Sequence, residues 1–141
     1  MSFKVFLAGA ALLLLGLSPR TQAAVVSLPD IVGNPGPTVV VSLGIDDATG
    51  VQAADLRIEY DPAVLQAITV SKTAFTAGMT LFFNFNPGPQ CPMGTLGGVI
   101  CISLFAVQSL NGGGSLVDIT FNVIGRGKSP LDIVECMLNE E

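Results

Sequence analysis

Gly50-Val51-Gln52-Ala53-Ala54-Asp55-Leu56-Arg57-Ile58-Glu59-Tyr60-Asp61-Pro62-Ala63-Val64-Leu65 decides the reading of this chain. Leu56, Ile58 and Tyr60 recur with a period of two, and Asp55, Arg57 and Glu59 fill the alternate positions. An apolar row opposed to a charged row is the pattern of a half-buried strand in an antiparallel sheet. One face builds a core and the other is free to meet a partner. The strand ends at an Asp-Pro corner. Asp61 is placed to cap a single helical turn, with Pro62 at its first position.

Working outward, both flanks read as strand, turn, strand. Towards the N-terminus lie a polar loop (Asp46-Asp47-Ala48-Thr49-Gly50), a β-branched strand over residues 38–45, a turn cluster (Gly33-Asn34-Pro35-Gly36-Pro37) and a short strand over 25–28. Towards the C-terminus, residues 67–70 extend again and 80–85 are aromatic-rich, with Leu81, Phe83 and Phe85 in one row. Residues 98–106, 115–123 and 131–138 read as three more strands. Val117 breaks the alternation of one, and Ile133 and Val134 stand side by side in another. No stretch of ten or more residues after residue 23 carries a helical period. Eight or nine short strands separated by Gly/Pro turns predict an all-β antiparallel sandwich.

The N-terminus reads differently. A short basic start with Lys4 is followed by an apolar run over residues 5–17, then by Ser18-Pro19-Arg20-Thr21-Gln22-Ala23. This is the layout of a secretory leader with cleavage after Ala23. The run is shorter than the roughly 20 apolar residues of a spanning helix. The predicted division is a leader over 1–23 and one sandwich domain over 24–141, secreted and not inserted in a membrane. Without Lys4 and Arg20, four Lys/Arg face eleven Asp/Glu, so the formal charge moves from -5 to -7. An acidic domain with scattered cations argues against nucleic acid and anionic membranes as partners.

The chemistry-bearing residues are few. There is no His, so a nucleophile–base site lacks its usual base. Asp46 with Asp47, and Asp55 with Glu59, are carboxylate pairs that read as solvated surface charge; no catalytic residue is assigned. The Asp46–Asp47 loop offers hard oxygens but not the alternating spacing of a dedicated calcium loop. Neither a metal nor a cofactor is expected. Cys91 and Cys101 flank a Gly-rich turn, and two readings stand: a bridge across a hairpin, or small buried apolar residues, with Cys136 as a third. A bridge over so short a loop contributes about 2–3 kcal/mol. There is no Trp, and the single Tyr, Tyr60, lies on the apolar row. Phe82, Phe83 and Phe85 offer stacking faces for a sugar, but read more simply as core.

Three segments carry a resemblance. They are Asn34-Pro35-Gly36-Pro37-Thr38-Val39-Val40-Val41-Ser42-Leu43, the quoted stretch with its Tyr-Asp-Pro-x-x-Leu corner, and Gly114-Ser115-Leu116-Val117-Asp118-Ile119-Thr120-Phe121-Asn122-Val123. The chain resembles the cohesin domain family over nearly all of residues 24–141, and Ser129-Pro130-Leu131 onward looks like its closing strand. The resemblance implies a nine-stranded jelly roll and a non-catalytic scaffolding role. It implies a partner too: a dockerin, the small calcium-loaded module carried by secreted polysaccharide-degrading enzymes. It places the recognition row at Ala53, Asp55, Arg57 and Glu59, with Asp55 as an acceptor for partner hydroxyl or amide groups. Val107 stands where well-studied members often carry an acidic residue. A carbohydrate-binding module, or a structural sandwich with a different partner, are the alternatives.

Overall fold

The computed structural model describes residues 3–8, 24–85, 87–89 and 91–139. Among these residues, eleven strands run in chain order: β1 (Phe3–Ala8), β2 (Ala24–Pro29), β3 (Ile31–Gly33), β4 (Thr38–Ile45), β5 (Ala53–Tyr60), β6 (Leu65–Lys72), β7 (Thr80–Asn84), β8 (Gly98–Phe105), β9 (Gly114–Val123), β10 (Gly127–Ser129) and β11 (Asp132–Leu138). A five-stranded sheet, β1-β2-β4-β9-β6, faces a four-stranded sheet, β11-β5-β8-β7, and β3 pairs with β10 as a small flap. Every pairing is antiparallel. The all-β sandwich expected from the sequence is therefore present, with nine strands in its two large sheets among the described residues. No helix among the described residues is long and apolar enough to cross a membrane.

Alternation builds the core. Val41, Leu43 and Ile45 of β4 and Ile119, Phe121 and Val123 of β9 face Leu56, Ile58 and Tyr60 of β5 and Ile100, Ile102 and Leu104 of β8. Each side chain of this size contributes about 1.5–3 kcal/mol when taken fully out of water. Tyr60 meets Phe121 edge to face at 5.4 Å between ring centroids. Its cross-strand neighbour is Gly98, where a Cβ would lie 2.6 Å from the Tyr60 ring. Glycine is what lets a large ring lie flat across that pair.

The breaks in alternation are bulges. The β4–β9 register passes from Leu43↔Val117 to Gly44↔Ser115, which leaves Leu116 unpaired and turns both Leu116 and Val117 inward. The β5–β11 register passes from Ile58↔Ile133 to Arg57↔Glu135, skipping Val134. The adjacent apolar pairs in the sequence are thus inserted residues rather than lost strands.

The Asp-Pro corner folds as expected. The Val64 and Leu65 N–H groups donate to the Asp61 carbonyl, and the Asp61 side chain accepts from the Ala63 N–H at 2.9 Å. The Asp61 N–H donates to the buried Ser129 hydroxyl at 3.0 Å, tying the corner to β10. At the other end of β5, the Asn139 side chain accepts from the Gln52 and Ala53 N–H groups and donates to the Gly50 carbonyl. Both ends of the deciding strand are therefore clamped.

Of the expected leader, residues 1–2 and 9–23 lie outside the described residues, while residues 3–8 form β1 beside β2.

Candidate partner-binding face

The outer face of the four-stranded sheet is read directly from its register. Met137, Asp55, Ser103 and Phe82 form one cross-strand row. Glu135, Arg57, Cys101 and Asn84 form the next, and Ala53, Phe105 and Thr80 lie on the far side of the first. A groove of about 340 Å³ opens here, lined by Asp55, Arg57, Phe82, Ser103, Glu135 and Met137 among others.

The expected row on β5 divides. Ala53 is half-buried and Asp55 is exposed. The Ser103 hydroxyl donates to the Asp55 carboxylate at 2.5 Å, which fixes an outward-facing acceptor. Arg57 is half-buried: its Nη1 donates to the Pro92 carbonyl at 3.3 Å, and its Nε lies 3.6 Å from the Glu135 carboxylate. Glu59 is only 7% exposed. Its carboxylate accepts from the Leu96 N–H at 3.4 Å and lies against Gly94, where any side chain would collide with it. A loop thus covers the Glu59 end of the row.

That loop is held by a Cys91–Cys101 disulfide with its Cα atoms 5.8 Å apart. Of the two readings open for these cysteines, the bridge is the one present. Gly88 and Cys91 add a pair of backbone hydrogen bonds at 2.9 and 3.1 Å. Cys136 is free and buried on the core side, and burial pushes its thiol up to about 11.

The phenylalanines correct the sequence expectation of core. Phe82 is 62% exposed and Phe83 41%, and only Phe85 packs against the core cluster. The reason is register and position: Phe82 stands opposite Ser103 on the outer face, and Phe83, opposite the buried Ile102, lies on the edge strand β7, which has a neighbour on one side only. Phe82 stacks on the exposed Phe105 with centroids 5.8 Å apart and planes 20° from parallel. Val107, just beyond, is exposed, and its carbonyl accepts from the Gln52 side chain at 2.7 Å. Sequence reasoning missed Phe82, Phe105, Ser103 and Met137 as parts of this face. One signal was there: adjacent Phe82 and Phe83 in a strand cannot both point inward.

The acidic loop is tied up locally. One Asp46 oxygen accepts from the Val25 and Asp47 N–H groups, and Asp47 accepts from the Thr49 hydroxyl and N–H. The Thr49 hydroxyl bond, then the backbone one, lower the Asp47 pKa. Among the described residues, no three His, Cys, Asp or Glu side chains converge as a metal site.

The family model for cohesin domains matches residues 24–135. This chain belongs to the cohesin domain family. Cohesin structures share its fold at low identity. A non-cellulosomal cohesin from the hyperthermophilic archaeon Archaeoglobus fulgidus is 22% identical, with a TM-score of 0.53 over 68% of this chain and 64% of that one. The sixth cohesin of scaffoldin B from Acetivibrio cellulolyticus, solved with a Cel5 dockerin mutant, is 17% identical, with a TM-score of 0.58 over 79% and 82%. A type II cohesin from the cellulosome of the same organism is 16% identical, with a TM-score of 0.57 over 78% and 72%. No curated protein matches the chain. As a cohesin, this chain carries its four-stranded outer face half open and half roofed by a disulfide-held loop.

Proposed function

We propose that the chain is a secreted, non-catalytic cohesin module that captures a dockerin-type module of a secreted enzyme, in the service of extracellular polysaccharide degradation. Residues 1–23 are its leader and 24–141 the exported domain. The observation that carries the reading is the open half of the outer face. There, a hydrogen-bonded acceptor, Asp55, sits beside the exposed pair Phe82 and Phe105. Apolar anchors around a fixed polar group are what a protein partner needs for both affinity and register. Ala53, Asp55 and Arg57 form the accessible part of the row, and the roofed Glu59 supports the loop.

Calorimetric titration of the chain with calcium-loaded dockerin modules tests this. Asp55→Ala weakens binding by about 1–3 kcal/mol, roughly tenfold or more, with the circular dichroism spectrum unchanged. Chelating calcium abolishes capture, because the partner, not this chain, holds the ion. An Asp55→Ala affinity equal to that of the parent removes the assignment.

A second reading has one observation in its favour. The stacked pair Phe82 and Phe105 is an exposed aromatic platform of the kind that sugars lie upon. Retention on cellulose, chitin or xylan that is lost in Phe82→Ala would establish a carbohydrate-binding module instead.

A further inference from the structure

The loop that roofs Glu59 is held over β5 by one cross-link and little else. None of residues 91–97 belongs to the core cluster or packs against it. Pro92, Met93 and Thr95 are exposed. Two hydrogen bonds join these residues to β5, and both are long: 3.3 Å from Arg57 Nη1 to the Pro92 carbonyl and 3.4 Å from the Leu96 N–H to the Glu59 carboxylate. What the roof covers is poorly matched to burial. Glu59, Thr76 and Ser129 are the buried polar residues among those described. The Thr76 hydroxyl donates to the Leu116 carbonyl at 2.8 Å, and the Ser129 hydroxyl accepts from the Asp61 N–H at 3.0 Å. Among the described residues, the Glu59 carboxylate has only the 3.4 Å bond from Leu96, and neither of their ion pairs includes it. A carboxylate loses more on leaving water than a hydroxyl does, so Glu59 favours an open roof and the bridge holds it shut.

We propose that the Cys91–Cys101 bridge is a redox latch on this face. Oxidised, it confines partner contact to the Asp55 half; reduced, it lets residues 91–97 lift and extends the row through Arg57 to Glu59. Cys101 is the sulfur that a small thiol reaches. It is half-buried and stands on the outer face between Arg57 and Asn84, at the groove, whereas Cys91 is 2% exposed. The reductant is a dithiol. One of its thiolates attacks the Cys101 sulfur, the bridge breaks, and Cys91 leaves as a thiolate. The second thiol then displaces Cys101. Two electrons pass to the protein, the reagent leaves as its cyclic disulfide, and the two protons that its thiols release end on the two cysteines. An oxidising compartment closes the roof again. In the open form Arg57 loses the Pro92 carbonyl and keeps Glu135, and Glu59 faces water. The Asp55–Ser103 brace involves no residue of the loop and stays as it is. The opening is independent of any partner; that it changes capture rests on the dockerin reading.

The test treats the full chain with dithiothreitol, follows the fold by circular dichroism and counts the freed thiols by alkylation and mass spectrometry. Carbodiimide coupling of an amine to carboxylates then reads accessibility residue by residue. Asp55 is expected to label alike before and after reduction. Glu59 should resist the label in the oxidised chain and take it as readily as Asp55 in the reduced one. The Leu96 amide should exchange about tenfold faster or more once the loop is free. Cys91→Ser with Cys101→Ser should label at Glu59 without any reductant. Calorimetric titration of both forms with calcium-loaded dockerin modules completes the test: a module that binds should change its affinity severalfold on reduction. The latch is overturned by a bridge that resists the reagent in the folded chain, by a domain that unfolds when reduced, by a Glu59 that stays unlabelled in the reduced chain, or by a dockerin affinity indifferent to reduction. Failure of every dockerin to bind either form is a different result. It removes the dockerin reading, while the opening of the roof stands or falls on the label at Glu59.

Discussion

Asp55 and Glu59 stand four residues apart on one strand, on one face, in one charged row, yet they occupy opposite environments. Asp55 is exposed and braced by Ser103 from the neighbouring strand. Glu59 lies under the loop that Cys91–Cys101 fastens to β8, with Leu96 donating to it and Gly94 pressed against it. Periodicity assigns both residues to the same face and is right. It does not say what else in the chain covers that face. The comparison teaches that the reach of a recognition row is set by long-range closure: Leu96 is 37 residues from Glu59 in sequence.

The largest expected effect comes from opening the roof. Replacing both bridge cysteines, Cys91→Ser with Cys101→Ser, should cost about 2–3 kcal/mol in urea unfolding, because a short closed loop regains its freedom in the unfolded chain. The Leu96 amide should lose its hydrogen-exchange protection at the same time. If Leu96 keeps that protection in the reduced form, packing rather than the bridge holds the roof. A side chain at Gly94 attacks the same contact from the other side. Gly94→Ala places a methyl where the Glu59 carboxylate lies; that carboxylate ends a flexible side chain and should swing aside, losing the Leu96 contact at a cost of about 1 kcal/mol. Gly36→Ala is a contrasting control: open space surrounds it, so any loss there reflects its φ of 125° and not a collision. Smallest is the ion pair at the boundary of the two halves. A double-mutant cycle on Arg57 and Glu135 should return less than about 1 kcal/mol, because the pair is 3.6 Å long and Glu135 is half open to water. A larger coupling would mean that Arg57 belongs energetically to the roofed half.

Much of the fold was legible because local patterns were consistent. The row Leu56, Ile58, Tyr60 points into the core, the strand over 38–45 lies where its β-branched residues put it, and Asp61 caps the turn after β5. The irregular spots had a physical meaning that a sequence cannot display. Val117, and Ile133 with Val134, look like lapses of pattern, and become bulges only when a partner strand supplies the register. The flap strands β3 and β10 are three residues each, too short to show any period. At the candidate site, Asp55 was visible from its alternation. Phe82 was visible only in part: alternation sets it on the face opposite Phe83, but its pairing with Ser103 is what shows that face to be the open one. Ser103 was not, because a hydroxyl becomes a brace only opposite a carboxylate.

The sequence by itself determined the class of fold, the inward and outward rows of β5 and the membership of the family, since all three rest on the order and spacing of residues along one chain. The tertiary structure alone decided that the charged row is half roofed, that Phe82 and Phe105 share an open platform, and that residues 3–8 sit at the edge of the larger sheet. Those outcomes depend on which distant segments come to lie side by side. Burial and hydrogen-bond pairing are properties of neighbours in space, and a strand's neighbours are set by the closure of the whole sandwich.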